Sequence, residues 1–223
     1  MDVGELLFWF LVVPAIGYGL AAIWMRWTMR RIAEREVGFL RMPGITSRFL
    51  VFLTYPSTPI LFGIVVYVQL LGAPADAATD SAVRWLGLAF AVSAILTTLS
   101  QAWIVVRRRA VAYRGEQFTR TLVLTVIPET AVLFVLIVAI QVSGFLVRGP
   151  TEPPVSAAEA SGLVGACQWA LLGSVGAPLA AFLANRVPTL EGKSFSKAVI
   201  MTVGGEVPML IGLVMAMTTY ATL

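Results

Sequence analysis

Two glutamates stand inside otherwise apolar runs. Glu129 lies in "TVIPETAVLF" and Glu206 in "TVGGEVPMLI". A carboxylate in hydrocarbon is costly, and ionisable side chains within membrane segments mark ion pathways. The nearest basic residue to each stands nine positions back, Arg120 for Glu129 and Lys197 for Glu206. Neither glutamate therefore has a fixed partner on its own helix. Such a group can exchange a proton, or bind a cation, when its surroundings change. The structural use of the same residue is a protonated glutamate that hydrogen-bonds between helices.

The nine-residue spacing recurs a third time. "SRFLVFLTYPSTPILFGIVVYV", "TRTLVLTVIPETAVLFVLIVAI" and "SKAVIMTVGGEVPMLIGLVMAM" align without a gap. Arg48 precedes Ser57 as Arg120 precedes Glu129 and Lys197 precedes Glu206. At 1.5 Å per residue, nine positions place the site about 13 Å along a helix, near mid-bilayer. Gly115 and Gly192 each stand 14 positions before their glutamate. A fixed internal period is the signature of a repeated unit. Ser57 then marks a degenerate third site.

Several neighbours are candidate supporting residues. Pro128 frees a backbone carbonyl beside Glu129, and Gly204 and Gly205 allow close backbone approach at Glu206. Thr130 follows Glu129 directly. The preceding run offers Thr97, Thr98, Ser100 and Gln101 at about the depth of Glu129, and Ser174 stands at about the depth of Glu206. Each of these polar groups serves ordinary interhelical bonding equally well.

The elements that hold these residues follow from composition. Of 223 residues, 58% are hydrophobic and only 13% charged, and the mean hydropathy is +0.86. Those values place the chain among integral membrane proteins. With no histidine and a single cysteine, Cys167, an intrachain disulfide and a Cys/His metal cluster are excluded. No P-loop is present, no catalytic site is expected in this chain, and no cofactor is implied. "MDVGELLFWF" lacks a cationic start and reads as the beginning of a first span, not a cleaved signal.

Six stretches are long and apolar enough to cross a bilayer as helices: about 6–25, 46–71, 84–106, 119–147, 160–184 and 194–222. Fourteen of the 16 basic residues fall in three connections, 26–48, 107–120 and 185–197. The connections 72–83 and 148–159 are mostly acidic or neutral. The positive-inside rule puts the three Arg-rich segments in the cytoplasm and both termini outside. Charge gathered at membrane edges also argues against nucleic acid as partner, despite the net charge of +4. The expectation is an all-α integral membrane protein of six transmembrane helices in three tandem hairpins: 1–72 without a carboxylate, 81–147 with Glu129 and 157–223 with Glu206.

The pattern resembles the proteolipid c subunits (subunit c/K) of V/A-type rotary ATPases. "LTVIPETAVLFVLIVAI" is similar to that family's Pro-Glu-Thr signature followed by an apolar run, and "GKSFSKAVIMTVGGEVPMLIGLVMA" looks like a second copy. "GEQF" and "GKSF" resemble the family's approach to the same helix. The first hairpin departs from it, with "YPST" in place of the triad. The resemblance implies a membrane rotor ring. Glu129 and Glu206 would be its ion-binding carboxylates, and the first hairpin an ion-silent scaffold. It also implies partners: further copies in a homo-oligomeric ring, a stator subunit with an arginine, a central-stalk subunit at the Arg-rich loops, and membrane lipids. Sodium needs several oxygen ligands. Thr130 can supply one beside Glu129, whereas Val207 beside Glu206 cannot, so two unequal sites point to protons, with sodium at Glu129 the alternative. A self-contained proton or cation transporter and a structural membrane subunit of a larger complex stay open as other readings.

Overall fold

The computed structural model describes residues 2–36, 38–73, 77–147, 153–187 and 189–223. Six helices among them are long and apolar enough to cross a bilayer: α1 Val3–Arg35, α2 Ile45–Leu70, α3 Thr79–Tyr113, α4 Gly115–Leu146, α5 Ala157–Asn185 and α6 Lys193–Ala221. No strand occurs among the described residues. This is an all-α, six-helix membrane protein. The sequence reading of the connections 72–83 and 148–159 falls partly on residues 74–76 and 148–152, outside the described residues.

The helices form two rows. α1, α3 and α5 pack side by side, α2, α4 and α6 form a second row, and each odd helix packs on the even helix that follows it. α3 sits at the centre, with 67% of its apolar window buried, against 28% for α1, α2 and α6. The remaining apolar surface of the flanking helices faces outward, as Ile23, Leu61, Ile200 and Val214 do. In hydrocarbon such a surface needs no cover.

Two helices run past the ends that hydropathy suggests. α1 continues to Arg35, and the α-helical part of α3 reaches Arg108 before a 3₁₀ turn over Arg109–Tyr113. Arg26, Arg30, Arg31 and Arg35 therefore stand on a helix, not in a loop. Hydropathy marks where a helix leaves the apolar layer. The chain stays helical beyond it because Arg, Met, Ala and Glu are good helix formers. The Arg30 Nε to Glu34 Oε1 bond of 2.9 Å adds an i,i+4 pair.

Small residues set how closely the rows approach. A Cβ on Gly63 of α2 would stand 1.9 Å from the Phe10 carbonyl oxygen of α1. One on Gly212 of α6 would stand 2.7 Å from the Trp169 carbonyl of α5. Both glycines lie six positions after the register point set by Ser57 and Glu206; α4 carries Val135 there. The thin face of α5 is used as well, since Gly205 rests on the Ala180 backbone.

Candidate functional site

The helices of the second row, α2, α4 and α6, are all interrupted at one register. α2 tightens into a 3₁₀ turn at Tyr55–Ser57 and α4 at Ile127–Glu129. α6 breaks between Gly204 and Val207. Pro56 and Pro128 cause the first two breaks, because proline lacks an N–H and clashes with the preceding turn. Gly204, Gly205 and Pro208 weaken the third. Each break leaves backbone groups outside the regular ladder, and Ser57, Glu129 and Glu206 stand at the three breaks.

Glu129 is buried, at 7% exposure, while Glu206 is partly buried. No Lys or Arg forms an ion pair with either glutamate among the described residues. Each instead meets a hydroxyl from the preceding hairpin. The Tyr55 phenol of α2 approaches Glu129 of α4. The Thr130 hydroxyl of α4 donates to Glu206 Oε1 of α6. The Ile127 carbonyl of its own helix, at 2.8 Å, competes for the same proton. Thr130 is thus a neighbour of Glu129 in sequence and a partner of Glu206 in space. Ser57 offers nothing across a junction, since its hydroxyl donates to the Thr54 carbonyl at 2.7 Å.

The other sequence candidates divide. Thr97 of α3 donates to the Pro128 carbonyl at 3.3 Å, so the neighbouring helix bonds the break directly; the carbonyl that the missing Pro128 N–H frees is that of Leu124, four positions earlier. Gln101 is 1% exposed, neither atom of its amide has a partner, and it borders a small gap shared with Tyr55, Pro56 and Thr125. Ser100 is buried on the same helix. Thr98 and Ser174 turn back on their own helices, to the Ile95 carbonyl at 3.0 Å and the Leu171 carbonyl at 2.6 Å. Of the glycines beside Glu206, Gly205 serves packing by admitting the Ala180 backbone, whereas a Cβ on Gly204 would meet nothing within 4 Å.

Tyr55 is the residue that the spacing argument passes over. Its only signal in the sequence is a phenol two positions before the register point in the hairpin that lacks a carboxylate.

A second repeated contact lies at the basic ends. Arg48 Nη1 donates to the Tyr113 carbonyl at 2.7 Å, and Arg120 Nη1 donates to the Leu190 carbonyl. The Arg48 guanidinium lies 5.7 Å from the Phe118 ring centre and that of Arg120 5.7 Å from Phe195. Tyr113 and Leu190 are each 16 positions before their glutamate, and Phe118 and Phe195 each 11 before. Each guanidinium thus pins its hairpin to the next through one carbonyl and one ring.

Chemically, the arrangement offers two carboxylates in apolar surroundings, each facing a hydroxyl of the preceding hairpin and free of ion pairs among the described residues. Comparison with protein-family models, with curated proteins and with solved structures finds no match. The functional reading rests on the residues themselves.

Proposed function

We propose that this chain is the rotor-ring proteolipid subunit of a V/A-type rotary ATPase, carrying protons on Glu129 and Glu206. The observation behind this reading is the repeat of one device: a carboxylate at a mid-helix break, at equal register in α4 and α6, facing a hydroxyl and no cation. A carboxylate of this kind carries its ion as a neutral group and gives it up beside a cation on another subunit. The stator arginine implied by the family resemblance would be that cation. The positive-inside pattern orients the chain with Arg-rich segments toward the cytoplasm and both termini outside. Those segments would face the central stalk and anionic headgroups.

The test is imaging of the purified, detergent-solubilised protein. A closed ring is the expected result, because a rotor needs cyclic symmetry. A monomer or dimer that moves protons by itself in vesicles overturns the reading in favour of a self-contained transporter.

A further inference from the structure

The two occupied hairpin junctions share a polarity. At the first, hairpin 1 brings the Tyr55 phenol toward the Glu129 carboxylate of hairpin 2. At the second, hairpin 2 supplies the hydroxyl of Thr130 and hairpin 3 the carboxylate of Glu206. At both, the hydroxyl comes from the earlier hairpin and the acid from the later one. In a ring, which is the reading this inference rests on, a third kind of junction sets hairpin 3 of one copy against hairpin 1 of the next.

We propose that this boundary between copies is the one junction built without an ion site, and that the missing carboxylate of hairpin 1 and the missing hydroxyl of hairpin 3 are two halves of a single loss. The positions of hairpin 3 equivalent to Tyr55 and Thr130 are Gly204 and Val207, neither with a hydroxyl. Hairpin 1 carries Ser57 at the acid position, and its hydroxyl is taken by its own helix. A glutamate placed there alone would be a carboxylate without a donor, a costly thing to leave in apolar surroundings.

The basic anchor changes at the same boundary. Arg48 and Arg120 pin their hairpins with a planar guanidinium over a ring. Lys197 takes their place in hairpin 3, and hairpin 1 offers Thr46 where Phe118 and Phe195 stand. An ammonium has no plane to stack, and threonine has no ring. The ion site and the basic anchor are thus both altered at one junction and kept at the other two.

Carbodiimide labelling of individual carboxylates, read by mass spectrometry of the assembled protein at several pH values, tests this in two arms. Within the chain, Tyr55→Phe is expected to change the labelling rate of Glu129 about tenfold while leaving Glu206 unchanged. Thr130→Val is expected to change Glu206 and not its sequence neighbour Glu129. At the boundary, Ser57→Glu introduces a carboxylate, and Val207→Thr supplies the hydroxyl of the preceding hairpin. Val207→Thr is expected to change labelling of the introduced carboxylate about tenfold and to leave Glu129 and Glu206 as they were. If Ser57→Glu alone prevents ring formation, Val207→Thr is expected to restore it. A closed ring in which Val207→Thr neither alters nor rescues that carboxylate overturns the proposal alone. A chain that never assembles overturns the ring reading and the proposal with it.

Discussion

Glu129 and Glu206 share a register but not an environment. One is buried beneath a tyrosine and the other partly open beneath a threonine. A glutamine at either position keeps the volume and an acceptor oxygen for the hydroxyl, yet has no proton to release. Glu129→Gln and Glu206→Gln are each expected to abolish coupled proton transport, measured as proton uptake in vesicles carrying the assembled complex. Retained transport in either variant removes that residue from the mechanism. The acids were legible in the sequence because a charge in an apolar run is conspicuous. Their partners were not. Adjacent residues on a helix point in different directions, so Thr130 turns away from Glu129 and toward the next hairpin. Nothing along one strand of text shows which helix lies there.

At the level of elements, six apolar runs became six helices, and the prolines and glycines at the register point became breaks. What hydropathy missed were the helical extensions of α1 and α3, because a helix rich in arginine is invisible to an apolar count. The row spacing depends on two glycines whose importance lies in another helix. Gly63→Ala is expected to lower stability by roughly 1–3 kcal/mol, since its Cβ collides with the Phe10 backbone. Gly19→Ala, where nothing lies within 4 Å, is expected to leave stability unchanged or raise it by up to about 1 kcal/mol. Thermal unfolding in the same detergent compares the two, and equal effects would mean that the close approach at Gly63 is not needed.

The Arg-rich segments meet at one end of the molecule, where Arg48 reaches Tyr113 and Arg120 reaches Leu190. Its sidedness is open to a direct measurement, because Cys167, the one cysteine, is fully buried and gives little background. Ser196 and Thr222 are both exposed, near opposite ends of α6. A membrane-impermeant maleimide is expected to reach Ser196→Cys only from the cytoplasmic side and Thr222→Cys only from the outside. Reaction of both from one side would rule out α6 as a span. The six helices were readable from hydropathy, whereas the order of the rows was not, since it depends on which helix faces bury against each other.

The interruptions in α2, α4 and α6 fall at one register, but only the last two hold an acid. Around a ring of such chains, an acid is followed by another one hairpin on, and then by none until two hairpins later. A fixed stator would therefore meet its carriers in couplets, two in quick succession and then a pause. Torque would arrive with the rhythm of whole chains, not of hairpins. A finely sampled record of single-rotor motion would then show one step of double width for every chain that passes.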